Sequence, residues 1–183
     1  TATSNLDLAW DGSDTLSGLT GVQLYWSKDG DAYQLYPGGP FTASPISFDA
    51  TQAAGDGAYR FYTVGSDAVG NEEAAPAAAD AFTSIDTSAP GAPNIAGLET
   101  FSPGSAATVA WSDESATGAA EYFAEMAATA NFASPLASTG WMTGLAHEFT
   151  SLADGQEYYF RVKARDLSAS HNETGWSSEL PAK

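Results

Sequence analysis

Residues 151–166 read SLADGQEYYFRVKARD, and residues 58–67 repeat the strand-like half of that stretch as AYRFYTVGSD. The copies lie ninety-nine positions apart, so Tyr59, Phe61 and Asp67 correspond to Tyr158, Phe160 and Asp166. In the later copy Tyr158, Phe160, Val162 and Ala164 alternate with Tyr159, Arg161, Lys163 and Arg165. Successive side chains of a strand point to opposite faces, so this period of two predicts a strand with one apolar and one cationic side. Asp154-Gly155 supplies a tight turn just before it. A repeat of that spacing in 183 residues predicts two consecutive β-sandwich domains, residues 1–86 and 87–183, and an all-β fold class.

Working outward, Leu6–Trp10 alternates as a half-buried strand, and Val22, Leu24 and Trp26 share a face of the next. Asp29-Gly30 predicts a two-residue hairpin turn leading into Tyr33–Tyr36. Ile46 and Phe48 mark a short strand, residues 54–57 a turn, and Ala81–Ile85 the last strand of the first unit. Asp86–Pro93, DTSAPGAP, predicts a short, stiff linker, because proline fixes φ. The second unit carries strand patterns near Ile95, at Ala107–Trp111, Ala120–Met126, Trp141, Glu148–Leu152, Glu157–Ala164 and Ser178–Leu180. Residues 119–130 are rich in Ala, Glu and Met and favour helix by propensity. Tyr122, Ala124 and Met126 would nevertheless share one face of a strand.

Leu152 followed six residues later by Tyr158 resembles the tyrosine corner of fibronectin type III domains, in which the phenol bonds to the backbone upstream. Trp111, Tyr122 and Trp176-Ser177 follow that family's order of a second-strand Trp, a third-strand Tyr and a terminal Trp-Ser, so the resemblance covers roughly Pro93–Leu180. Trp10 stands in the first unit where Trp111 stands in the second, but no Leu precedes Tyr59 by six residues. The strings DGSDTLSGLTGVQLYW and VGSDAVGNEE resemble immunoglobulin-like repeats of bacterial surface and extracellular proteins. The first unit reaches its Trp at position 10, against eighteen residues from Pro93 to Trp111, which predicts a shortened or missing leading strand. The resemblance implies a non-catalytic, monomeric pair of spacer or adhesion modules from a larger secreted or cell-surface protein. Its partner would be an unidentified protein or glycan. The alternative is a carbohydrate-binding accessory of a secreted hydrolase.

Composition narrows the functional classes. Twenty-three acids against six bases give a net charge of −17, with twelve acids and two bases up to Asp86 and eleven and four beyond it. Both halves therefore repel phosphate, which argues against nucleic acid and anionic membranes. No stretch approaches the ~20 apolar residues of a membrane span, so direct insertion is not expected. Without cysteine there is no disulfide, thiol nucleophile or thiolate-bound metal. Hydrophobic residues at 43% are sufficient for folded cores.

Five groups of residues merit chemical scrutiny. Asp11, Asp14, Asp67, Asn71 and Glu72 lie in two loops that an immunoglobulin-like sandwich brings to one end. They fit either a structural Ca²⁺ site or ordinary Asx turns. His147-Glu148 begins like a zincin helix, but Ser151 stands where the second His is required, and His171 sits in a loop beside Asn172 and Glu173. Neither is accompanied by a marked nucleophilic Ser, so no catalytic residue is expected. Arg161, Lys163 and Arg165 share a strand face near Trp176. They predict a cation–π ladder or, as the alternative, a basic strip for an acidic partner. Trp26, Tyr33 and Tyr36 could form a sugar-stacking strip, although Trp26 shares the apolar face of Val22 and Leu24. Asn172-Glu173-Thr174 is a glycosylation sequon, and no Arg-Gly-Asp tripeptide occurs.

Overall fold

The computed structural model describes residues 5–51, 53, 55–98 and 105–182; Ala54 of the expected turn lies outside them, as do Thr1 and Lys183. The chain divides into two compact units, Thr1–Thr87 and Ser88–Lys183. The division falls one residue later than expected because Asp56 Oδ1 accepts bonds from the Thr87 backbone N–H at 2.9 Å and hydroxyl at 2.7 Å. At the far end of the expected linker, Gly91 N–H donates to Thr117 Oγ1 at 2.7 Å, Asn94 N–H donates to Ser112 Oγ at 2.9 Å, and Pro93 is fully buried. Residues 91–93 thus pack within the second unit, and the joint is shorter than Asp86–Pro93.

The first unit contains β1 (Asn5–Leu8), β2 (Leu19–Lys28), β3 (Gln34–Leu35), β4 (Ile46–Asp49), β5 (Gly57–Asp67) and β6 (Ala81–Ile85). They form a two-stranded sheet, β1-β4, and a four-stranded sheet, β3-β2-β5-β6. Val22, Leu24, Ile46, Phe48, Tyr59 and Phe61 are buried between the sheets, and the Phe48 ring meets Phe61 edge-on at 4.9 Å. The Asp29-Gly30 turn is present, with φ of 52° and 88° and Asp31 N–H donating to the Lys28 carbonyl at 2.9 Å. It does not close a two-residue hairpin. Pairing resumes only at Trp26↔Gln34, and the buried Ser27 hydroxyl holds the intervening loop by donating to the Asp31 carbonyl at 2.7 Å.

The second unit contains β7 (Ile95–Ala96), β8 (Ala106–Trp111), β9 (Glu121–Ala127), β10 (Ala137–Ser138), β11 (Ala146–Thr150), β12 (Tyr158–Arg165) and β13 (Leu180–Ala182). The sheets are β11-β8-β7 and β10-β9-β12-β13. The helix-prone stretch is strand: Tyr122, Ala124 and Met126 are buried, and β9 pairs with β10 on one side and β12 on the other. Packing of an alternating apolar face outweighs propensities of a few tenths of a kcal/mol per residue. Trp141 is not in a regular strand. It neighbours Met142, whose backbone exchanges hydrogen bonds with Tyr122 at 2.7 and 2.9 Å.

Both units have a tyrosine corner. Tyr158 Oη accepts the Ala153 N–H at 3.0 Å, one residue after Leu152, which packs on the core. Tyr59 is 0% exposed, and its hydroxyl donates upstream to the Ala53 carbonyl at 2.9 Å, with the Gly55 carbonyl also in reach. The corner absent by sequence is therefore present, with buried Ala53 in place of the Leu. Tyr59→Phe should lower stability in urea by about 1–3 kcal/mol, since it strands buried carbonyl oxygen, whereas Tyr158→Phe, at an exposed turn, should cost about 0.5–1.5 kcal/mol. Equal costs would mean that the two corners do not differ in burial as described.

Candidate functional site

The outward face of β9 and β12 carries the densest set of functional side chains. Register sets Arg161 opposite Glu125, Lys163 opposite Phe123 and Arg165 opposite Glu121. The Arg161 guanidinium lies 4.2 Å from the Phe132 ring centre and 4.0 Å from that of Trp176. Lys163 Nζ lies 5.1 Å from both Trp176 and Trp141, and the Arg165 guanidinium 4.3 Å from Trp141. Rings and cations thus alternate along the face. Each cation also has a carboxylate: Arg161 with Glu125 at 2.5 Å, Lys163 with Glu173 at 2.5 Å and Arg165 with Glu121 at 2.7 Å. The strip is neutralised within the unit, so its chemistry is structural rather than that of an open anion site.

A tripeptide repeat that the sequence reading overlooked holds the two indoles in place. Thr139-Gly140-Trp141 flanks β9, and Thr174-Gly175-Trp176 flanks β12. Thr139 Oγ1 accepts the Ala124 N–H at 3.0 Å and donates to the Gly140 carbonyl at 2.6 Å. Thr174 Oγ1 accepts the Ala164 N–H at 3.0 Å and donates to the Gly175 carbonyl at 2.7 Å. Each threonine N–H returns a bond to the same strand residue, at 3.0 and 2.9 Å. Threonine oxygen thereby takes the place of a strand carbonyl, and the following indole is laid over the cations. Ser177 repeats the exchange with Val162, at 2.8 and 3.0 Å.

The repeat-related aspartates anchor the loops that follow β5 and β12. Asp67 Oδ1 accepts the N–H groups of Val69 at 3.0 Å and Asn71 at 2.8 Å, while Oδ2 accepts Asn71 Nδ2 at 2.6 Å and Ser17 Oγ at 2.7 Å. The Ser17 and Asn71 donors bring its carboxyl down to about 2. Asp14 is also held low, chiefly by the Leu16 N–H. Asp166 Oδ1 accepts Ser168 and Asn172 N–H groups, and Oδ2 accepts Asn172 Nδ2 at 2.9 Å. Burial pushes Asp166 up, but these donors outweigh it and leave it below the ordinary value.

These bonds bear on two sequence expectations. Of Asp11, Asp14, Asp67, Asn71 and Glu72, the structure joins Asp14, Asp67 and Asn71 through Ser17 and the turn, while Asp11 and Glu72 are exposed. Among the described residues no group of three or more His, Asp or Glu side chains is placed to hold a metal ion, and the Asp67 carboxylate closes Asx-type turns with the N–H groups of Val69 and Asn71. The sequon asparagine, Asn172, is buried and gives its Nδ2 to Asp166 and to Ser168 Oγ at 3.0 Å. Glycan attachment at that nitrogen requires the loop to open. His147 is half-buried and edge-on to Phe149 at 4.8 Å, and His171 is exposed with φ of 47°.

The aromatic hairpin divides between faces. Tyr36 is buried and Trp26 packs 5.9 Å from Phe48, whereas Tyr33 lies on the outer face at 4.6 Å from Tyr62, which stacks on Tyr25 at 4.9 Å. Trp26, Tyr33 and Tyr36 therefore do not make one strip. Beside the hairpin, the outer-face cluster is Tyr25, Tyr33 and Tyr62.

The first unit also holds a cleft of about 850 Å³ beside β1. Val22, Leu24, Ile46 and Phe61 reach it from the core, and Asp7, Asp11, Asp14, Asp67, Glu72, Glu73 and Asp80 line it with no base among them.

No protein-family model and no curated protein matches the sequence. Among solved structures, a Fn3-like protein from Clostridium thermocellum is 25% identical, over 52% of this chain and 94% of that one, with a TM-score of 0.41. Chicken CNTN1, in a structure of its FN1-FN3 domains, is 11% identical over 98% of this chain with a TM-score of 0.51, and this chain spans 60% of its length. The fold is an immunoglobulin-like β-sandwich of fibronectin type III-like form. No helix of the described residues is long and apolar enough to cross a membrane.

Trp176→Leu removes the ring shared by Arg161 and Lys163 and should destabilise the second unit by about 1–2 kcal/mol in urea. An unchanged midpoint would show that the ladder is ornamental. Asp67 makes a pH-dependent contribution. Its folded pKa lies below the ordinary 3.8, so its stabilisation is complete above that value and disappears as pH falls toward about 2. Asp67→Asn should therefore melt lower than the native chain at neutral pH, with the gap closing over that acid window. A pH-independent gap would contradict the assignment.

Proposed function

We propose that this chain is a non-catalytic module pair of a larger extracellular or cell-surface bacterial protein, serving as a spacer or adhesion element. The observation that carries the reading is internal saturation. Arg161, Lys163 and Arg165 are matched to carboxylates and rings, and Asp67 and Asp166 to loop donors. Catalysis requires a nucleophile, base or metal aimed at a vacant position, and these clusters are aimed at each other. A spacer needs the opposite property, sheets that keep their shape without cofactor or disulfide. The fibronectin type III-like fold is compatible with this role, and the reading rests on fold-level analogy for its cellular setting.

A second reading, a carbohydrate-binding accessory of a secreted hydrolase, is favoured by the outward Tyr25, Tyr33 and Tyr62 cluster. Aromatic faces stack on sugar rings. A glycan array and titration calorimetry with soluble plant and bacterial polysaccharides discriminate the two. The spacer reading expects no retained glycan and no heat. Binding that disappears in Tyr33→Ala and Tyr62→Ala variants would replace it with the accessory reading.

A further inference from the structure

The outer faces of the two four-stranded sheets are finished differently. In the second unit Arg161 stands opposite Glu125, and its charge is met there. Ninety-nine residues earlier Tyr62 takes the place of that arginine and stands opposite Tyr25. The rest of the first unit's face continues from this pair. Leu35 of β3 lies opposite Tyr25, Arg60 precedes Tyr62 by two residues on β5, and Phe82 of β6 lies opposite Arg60. Phe82, Leu35 and Tyr33 are 85%, 52% and 38% exposed, so large apolar side chains stand open around one arginine.

Arg60 sets the chemistry of what fits. It is exposed, and no carboxylate among the described residues pairs with it, whereas Lys28, Arg161, Lys163 and Arg165 each have one. Asp80, two residues before Phe82, instead accepts the Thr63 N–H at 3.1 Å. A lone cation in a unit of twelve acids and two bases attracts one carboxylate, while the unit as a whole repels an acidic run. The rings favour a peptide over a sugar. Tyr25 and Tyr62 lie 13° from parallel with centres 4.9 Å apart, and Tyr33 leans on Tyr62 at 60° and 4.6 Å. Ring faces on which a pyranose would stack are thus partly spent on one another. Leu35 and Phe82 instead offer contacts suited to aliphatic and aromatic side chains.

We infer that the outer face of β3-β2-β5-β6 docks a partner-protein segment in which a single Asp or Glu stands among apolar residues. Its carboxylate takes the forked guanidinium of Arg60, and its apolar side chains cover Phe82 and Leu35, removing them from water. A second copy of this chain, at −17, is repelled as a whole. The inference rests on the adhesion half of the proposed function and names the chemistry of the partner.

The test titrates the whole, isotope-labelled chain with the capped peptide Leu-Phe-Glu-Leu-Ser and follows backbone NMR shifts, with Leu-Phe-Gln-Leu-Ser as the control. Saturable shifts confined to β2, β3, β5 and β6 are expected, with the glutamine peptide bound about threefold to fivefold more weakly. Arg60→Gln should erase that difference, and Phe82→Ser should weaken both peptides alike. Both side chains are exposed, so an unchanged melting temperature certifies the fold of each variant. Absence of binding overturns the inference, as does a preference for glutamate that survives Arg60→Gln. Tighter binding of a galacturonate oligosaccharide at the same amides would give the face to an acidic sugar, and concentration-dependent dimerisation through it would give it to a second copy; either overturns the inference. Failure of peptide binding alone leaves the pair a spacer, whereas glycan retention that needs Tyr33 and Tyr62 but not Arg60 removes the spacer reading itself.

Discussion

Alternate burial along one long strand is what joins the two sheets of each unit, because the chain has no cysteine to bridge them. In β5 the inward residues include Tyr59 and Phe61, and in β12 they include Phe160, Val162 and Ala164. Each large buried side chain contributes about 1.5–3 kcal/mol relative to exposure, so a handful decides whether the sheets close. Everything on the outward face depends on that choice. A one-residue slip of β12 would turn Arg161, Lys163 and Arg165 into the core and Phe160 and Val162 into solvent. The cation–aromatic face is thus the necessary reverse side of the core, held in register by the same strand.

Much of the fold was legible because it rests on that period. The strands at Val22–Trp26, Tyr59 and Tyr158–Ala164 follow from alternation alone, and Trp111, Tyr122 and Trp176 take their places in the second core and on its outer face. Two features were hidden for a physical reason. The first-unit corner uses the carbonyls of Ala53 and Gly55, and carbonyl acceptors carry no side-chain signature. The Asp29-Gly30 turn was legible, but the longer loop was not, because it depends on the Ser27 hydroxyl bonding the Asp31 carbonyl. The Thr-Gly-Trp pair was in plain sight, and its meaning required the discovery that threonine oxygen can stand in for a strand carbonyl.

The site residues were less legible than the fold, and the carboxylates show why. Asp14, Asp67 and Asn71 have the residue types and loop positions of a calcium site, yet local N–H and hydroxyl donors occupy the oxygens of Asp67. Composition reports how many acids there are. It cannot report whether an acid is already engaged by its own loop, as Asp67 is, or stands exposed, as Asp11 does.

The two equivalent tryptophans are held in different ways. Trp10, just after β1, donates its Nε1–H to the Ala43 carbonyl at 3.1 Å. Trp111, on the strand that β7 covers, is 4% exposed, and its Nε1 has no hydrogen-bond partner among the described residues. An unmet buried donor costs about 1–3 kcal/mol. The second unit tolerates that cost because the closed sheet buries the whole indole against Tyr122, at 6.1 Å. The first unit keeps its indole hydrogen-bonded and half-exposed instead. The same position in the repeat is thus met by two different balances of burial against hydrogen bonding.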